Sequence, residues 1–442
     1  MLVRKIYLAF YLLSVLSAIG RGQVYYNEEI VVESKNAEAT RLFLDQIEII
    51  GNAKTKAEII VRELLFAEKD SVSLAQMMAA QKRVQSLRLF TQVRFDIIGE
   101  KHFAVLIISV YEQWYIFPIP IFYRNERNWK KLSYGGSLLY YNFLGRNILL
   151  NFTAAFGYNP EYKMAYFNPW FFGKYKLFTN FKIFKSKVGS LSLAFTGLED
   201  QRTGMDWLIG KRFGHFTYVG LTLNYMEIKA SRAGLVLSPS GIDKLPSLSL
   251  LLQFDNADLK DYPHRGWNLS FLGKRAGNNL WLHYYLYGYD FRRYQPLTTQ
   301  TTLAVRCAGF FSSGKIPVYD RFYFGYEERI RGHFYDIVEG ENLLFNGVEF
   351  RFPLLKIRYL DLPALPGLES YSHHLKFGLS VGIFVETGAA WFQNHQLTAQ
   401  DFITGFGAGL HFHVPYFEVL RFDCGSNGQG EIQAIVELGI PF

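Results

Sequence analysis

The segment EERIRGHF, residues 327–334, places two acids, two arginines, a glycine and an aromatic within eight positions. Arg331 could do one piece of chemistry well there. A planar guanidinium pairs with carboxylates through parallel hydrogen bonds. Two acids are candidate partners: Glu349 in ENLLFNGVEFRFPLL and Glu386 in KFGLSVGIFVETG. Both stand in stretches that alternate apolar and polar residues, so each projects from the polar face of a strand. A loop folded back between those strands would bring Arg331 to both acids, with Gly332 permitting a tight turn at its tip. A partly wet pair of this kind contributes about 1 kcal/mol, and more when desolvated, so its role is to position the loop. The other reading is a solvated loop whose charges touch nothing. Periodicity does not choose between the two.

Other candidate chemistry is thinner. Gly405, Gly407 and Gly409 lie within a strand pattern with no helix after it, which suits close packing rather than a phosphate cradle. His411 and His413 share a face but have no third ligand at metal spacing, so they read as polar filling. The chain has no G-x-S-x-G elbow and no cysteine-based site. It is expected not to be an enzyme and to need neither cofactor nor metal. Cys307 and Cys424 both fall on apolar faces of strands that are not neighbours, so no disulfide is expected.

The elements that must hold these residues are strands. From about residue 114 to the end the pattern has a period of two. Val348, Phe350 and Phe352 oppose Glu349 and Arg351, and Val381, Ile383 and Val385 oppose Ser380, Gly382 and Glu386. Near the end Ile432, Ala434, Val436, Leu438, Ile440 and Phe442 oppose Gln433 and Glu437. A soluble sandwich would alternate too. These segments, however, run to about ten residues or more, the length that crosses a bilayer at a tilt. Aromatics make up 17% of the chain while mean hydropathy is close to zero. A barrel in lipid produces that combination, because outward apolar residues alternate with inward polar ones. The expected fold is mainly β: a 16-stranded antiparallel transmembrane β-barrel over 114–442, preceded by one small α+β domain over 42–113.

That small domain reads as strand, helix, helix, strand, strand. FLDQIEIIGNAKT gives a strand ending at a Gly51-Asn52 turn, and TKAEIIVRELLF gives a helix with Thr55 as its N-cap. SLAQMMAAQKRVQSLRLF gives a second helix, and TQVRFDII and FAVLIISVYE give two strands. Before it, Arg4 and Lys5, an apolar core at 6–16 and small residues at Ser17, Ala18 and Gly20 have the layout of a cleavable signal peptide over 1–20. Residues 21–41 read as a linker. The net charge of +8 is scattered rather than patched, which argues against a nucleic-acid partner.

The small domain resembles a POTRA domain of the BamA superfamily through IEIIGNAKT, VRELL and LRLFTQVRFDI, with Arg88 where the family often has glycine. The barrel resembles the same superfamily. Ile330-Arg331-Gly332 matches its V/I-R-G-F/Y loop motif, with His333 at the usual aromatic position and Phe334 just after. VEFRFPL, FVETG (Glu386 where Asp is common), FDNADLKDYPHRGW and the terminal Phe442 match further family patterns, the last as an assembly signal. The resemblance spans 42–442 and implies an outer-membrane protein whose loop arginine inserts toward lumen acids, here Glu349 and Glu386. It implies a periplasmic POTRA domain that captures strands of unfolded outer-membrane protein clients by sheet extension. Outer-membrane lipids and periplasmic accessory proteins would be further partners. In FPIPI, Pro118 and Pro120 lack N–H groups on the same side, which would weaken the barrel seam if they belong to strand one, and not if they lie in the connector. The leading expectation is assistance to outer-membrane protein insertion. The alternatives are a two-partner-secretion exporter, whose relatives usually carry two POTRA domains and a plugging helix, and a passive porin-like barrel.

Overall fold

The computed structural model describes residues 24–25, 41–100, 103–124, 129–195, 198–213, 217–230, 232, 234–259, 262–277, 281–326, 328–360, 375–415 and 419–439. The expected signal peptide, most of the expected linker and Phe442 lie outside the described residues. Within the linker range, a two-residue strand β1 (Val24–Tyr25) pairs antiparallel with Leu360 and Tyr359.

Next come β2 (Arg41–Ile50), a short helix Ala57–Val61, β3 (Ser71–Ser73), a helix Leu74–Gln85, β4 (Phe90–Glu100) and β5 (Phe103–Glu112). The strands form one sheet in the order β3-β2-β5-β4, with β2 and β5 parallel. Alternation in β5 buries Ala104, Leu106, Ile108 and Val110, and the helices bury Ile59, Ile60, Met77, Ala80 and Val84 against them. The longer helix starts where the sequence lets it. Ser73 and Gln76 form a reciprocal capping box that satisfies two otherwise orphaned backbone donors. The shorter helix departs from expectation: Lys56, not Thr55, is its N-cap, without a side-chain cap bond, and it runs for five residues only. Thr55 is occupied elsewhere, as described below. Arg88 takes a left-handed φ of 57°, the conformation a glycine would hold at lower cost.

The barrel strands are β6 (Ile116–Arg124), β7 (Leu132–Phe143), β8 (Ile148–Gly157), β9 (Glu161–Phe172), β10 (Leu177–Gly189), β11 (Glu199–Arg212), β12 (Tyr218–Ala230) and β13 (Ile242–Asp255). They continue as β14 (Gly266–Ala276), β15 (Tyr284–Pro296) and β16 (Thr302–Gly314). A hairpin of β17 (Phe322–Phe324) and β18 (Val338–Gly340) lies outside the barrel sheet. Then follow β19 (Asn342–Leu360), β20 (Leu375–Trp391), β21 (Ile403–His413), β22 (Leu420–Ser426) and β23 (Ile432–Leu438). Leaving out the hairpin, sixteen strands form an antiparallel barrel-like sheet in sequence order, each laddered to the next, with β6 and β23 at its two edges. The expected count holds.

Faces follow the two-residue period. Leu138, Phe152, Met164, Ile183, Met205 and Tyr225 occupy one outward row, paired strand to strand and all exposed. An apolar exterior of this extent is what a hydrocarbon solvent requires and what a water-soluble protein avoids. Cys307 and Cys424 are free, Cys307 opposite Asn346 and Cys424 opposite Ala408 and Ala434. Among the described residues, no helix is long and apolar enough to cross a membrane.

The small sheet docks on one rim of the barrel. The β7–β8 turn carries positive φ at Asn142, Leu144, Gly145 and Asn147, and Lys56 N–H donates to the Gly145 carbonyl at 3.0 Å. A Cβ on Gly145 would collide with the Lys54 carbonyl, so only glycine fits. Asn142 Nδ2 donates to Thr55 Oγ1 at 2.8 Å; Thr55 bonds Tyr115 at 3.0 Å, and the Tyr115 hydroxyl donates to the Leu89 carbonyl at 3.0 Å. Burial pushes the Tyr115 phenol up, which keeps it a donor. Arg62 and Arg212 lie 4.8 and 5.9 Å from the Trp170 ring centre, one from each body. Burial in this joint lowers Arg62 to about 10.

Candidate functional site: an arginine sealed in the lumen

Strands β19 and β20 set the site. Their register puts Glu386 opposite Gly347, and Gly405 of β21 opposite Glu386 on the other side. Arg351 faces Gly382, and Asp423 faces Gly409. Glu386, Arg351 and Asp423 thus each have a neighbour with no side chain, which leaves room for a loop to enter. That loop is the connection between β16 and β19, residues 315–341. It packs Phe324 and Ile330 against Ala304, Ala308, Leu343 and Phe345 from the wall. Gly332, at φ 105°, touches the wall so closely that a Cβ would lie 2.6 Å from the Ser426 carbonyl.

The loop delivers Arg331 to its partners. Its backbone N–H donates to Glu386 Oε2 at 2.8 Å, its Nε to Glu386 Oε1 at 2.7 Å, and its Nη1 to Glu349 Oε2 at 2.6 Å. Its guanidinium carbon lies 3.5 Å from the centre of the Phe384 ring. Arg331, Glu349 and Glu386 are 3%, 0% and 1% exposed. The pair is therefore sealed from water, and the weak, partly wet version considered from sequence does not apply.

Balance extends beyond these three. Arg351 Nε donates to Glu349 Oε1 at 2.6 Å. Asp423 lies 3.7 Å from Arg331 and is bonded by Arg421, while Arg421 Nη2 donates to Glu437 of β23 at 3.0 Å. Guanidiniums and carboxylates alternate through the cluster, so no single charge is buried without a counter-ion.

Other residues of the 327–334 segment reach further around the wall. Arg306 of β16 donates to Glu328 at 2.7 Å and to Asp290 of β15 at 2.8 Å. Arg329 pairs with Glu437, and Phe334 N–H donates to Gln433 Oε1 at 2.7 Å, both on β23. His333 bonds Asp336 at 2.7 Å and the Thr404 carbonyl at 3.1 Å, while buried Phe334 supplies the aromatic packing. One loop tip thus ties β15 and β16 to the last strand of the sheet.

Of the sequence candidates, Ile330, Arg331, Gly332, Phe334, Glu349 and Glu386 are brought together. Pro118 and Pro120 lie in β6, the first barrel strand, opposite Leu138 and Gly136, and not in the connector. His411 Nδ1 is 2.9 Å from the Tyr262 hydroxyl and His413 Nε2 is 2.9 Å from Ser380 Oγ. Among the described residues, no group of three or more His, Cys, Asp or Glu is placed to hold a metal ion. The sequence reading missed Asp423, Arg421 and Tyr262, and it placed Gln433 on the polar face without giving it a partner. Asp423 and Arg421 sit at inward positions of a strand whose alternation, in LRFDCGS, could have exposed them. Tyr262 had no such signal, because it reaches the lumen from a turn and lies 5.0 Å beneath the Arg351 guanidinium.

A sixteen-stranded barrel-like sheet with an apolar exterior, a lumen loop fixed by a buried arginine and an α+β module at one rim defines a class of outer-membrane barrel. The family comparison gives its name: the Omp85 superfamily domain matches residues 142–440, and the chain belongs to that superfamily. Its fold is similar to BamA from Haemophilus ducreyi lacking POTRA domains 1–3, at TM-score 0.53 and 15% identity over 95% of this chain and 88% of that one. It is also similar to CdiB from Escherichia coli (TM-score 0.58, 14% identity, 90% and 76% covered) and CdiB from Acinetobacter baumannii (0.51, 16%, 87% and 70%). A comparison with curated protein sequences gives no match.

Proposed function

We propose that this barrel assists the insertion and assembly of other outer-membrane proteins, and does no covalent chemistry. The module over 42–113 acts as a single POTRA domain in the periplasm and takes up extended client segments. Its sheet supports this reading, since β3 covers β2 at Arg41–Phe43 and residues 68–70 cover Leu44 and the Ile47 N–H, which leaves the end of that edge, residues 48–50, for an added strand.

The observation that carries the proposal is the attachment of the loop tip to β23. Arg329 and Phe334 hold Glu437 and Gln433, and Arg331 anchors the tip. β23 has seven residues, and β6 at the opposite edge of the sheet has nine, two of them prolines. A short seam whose last strand is pinned from inside suits a wall that opens for a client and recloses. A polypeptide exporter would instead have to clear the lumen of the same loop.

Proteoliposomes containing the wild type or Arg331→Ala, with both confirmed to be folded, should differ in the rate at which an unfolded client barrel becomes protease-resistant. Equal rates, together with loss of secretion of one dedicated substrate in cells, would transfer the function to export. Replacing Pro118 and Pro120 with valine should slow client insertion by tightening the seam.

A further inference from the structure

The outer wall next to the seam is indented. A concavity of about 1120 Å³ crosses β6 to β12, the scale of a ligand site rather than of surface roughness. Its floor is a cross-strand row of small residues, Pro120 opposite Gly136 opposite Ala154. A Cβ on Gly136 would meet nothing nearer than the Ile119 carbonyl at 3.9 Å, so neither the backbone nor a neighbour requires glycine there. Leu138, Phe152 and Met164 border the floor on the side nearer the module. Tyr134 and Phe156 border it on the far side and Tyr162 continues the row beyond Ala154, in ring contacts of 6.2 and 5.8 Å.

The same row changes chemistry as it leaves the floor. Tyr162 stands opposite Lys185, then come Thr203, Glu227 and Lys244. One row further from the module, Lys187, Gln201 and Lys229 line up, and Arg275 lies outward near the far end of β14. This outward belt holds five bases against two acids, Glu227 and Glu199, the second paired with Lys187 at 2.6 Å. Among the described residues, Lys185, Lys229, Lys244 and Arg275 form no ion pair, and all four are exposed. Bases aimed at lipid from a barrel wall need anions at that depth.

We propose that the indentation is a binding site for a membrane amphiphile with a net-anionic phosphorylated headgroup, its acyl chains over Pro120, Gly136 and Ala154 and its phosphate at Lys185 and the belt beyond. The leaflet follows from the orientation proposed above: with the module in the periplasm, the belt meets the outer leaflet. Binding in detergent does not depend on that orientation or on client insertion, so this proposal and the previous one fail separately.

Native mass spectrometry of the full chain, titrated with lipid A or with zwitterionic phosphatidylcholine, reads the site directly. The wild type should retain lipid A at about tenfold lower lipid concentration than phosphatidylcholine. Gly136→Trp should weaken retention of both lipids, and Lys185→Gln with Lys244→Gln should abolish only the preference. Unchanged retention in folded Gly136→Trp overturns the proposal. A photo-crosslinking residue at position 136 gives a second reading in cells: a lipid adduct supports the site, and a polypeptide adduct overturns it.

Discussion

Arg331 is buried with its acids, and removing it strands Glu386 and leaves Glu349 with Arg351 alone, neither carboxylate able to reach water. Breaking a buried pair in this way costs about 3–5 kcal/mol, far more than an exposed pair contributes. Arg331→Ala should therefore release the 315–341 loop, seen as faster proteolysis there and a lower temperature for loss of the compact form on cold gels. Arg331→Lys keeps the charge but loses the fork that serves Glu386 and Glu349 together. It should recover part of the stability and little of the client insertion; full recovery would mean that charge alone matters. Arg329→Ala is predicted to act differently. Its partner Glu437 keeps Arg421, so the barrel should stay folded while amide exchange in β23 rises.

At the scale of elements, glycines decide where parts approach. A Cβ on Gly405 would collide with the Arg331 carbonyl. Gly405→Ala should thus expel the loop tip by sterics and reproduce the Arg331→Ala proteolysis pattern with every charge in place. At the other rim, Gly145→Ala meets the Lys54 carbonyl in the same way and requires a left-handed residue besides. It should loosen the module while the barrel's thermal stability stays near wild type, checked by limited proteolysis between residues 112 and 116. Thr55 illustrates how tertiary demand overrides a local signal. Its hydroxyl could have capped the short helix, but Tyr115 and Asn142 claim it.

For the whole molecule, the solvent is the organising fact. Val385 points outward into hydrocarbon between two lumen positions, Phe384 and Glu386. Val385→Arg should cost about 2–4 kcal/mol near the bilayer midplane, measured by reversible unfolding in vesicles. If the cost stays below that of an ordinary surface change, the outer face of β20 does not meet lipid.

Alternation, strand length and turn spacing were local, so residues 114–442 could be read as about sixteen strands, with faces assigned to those near the C-terminus, before any contact was known. The same period placed Glu349 and Glu386 inward, because a pleated strand allows only two directions. Pairing register and loop path are not local. Which acid meets which base, the use of Gly405 to admit the loop, the hold on β23 and the entry of Tyr262 from a turn depend on residues up to about 150 positions apart. Only the curled sheet decided those, because it brings distant strands into one lumen and removes the water that would otherwise have screened their charges.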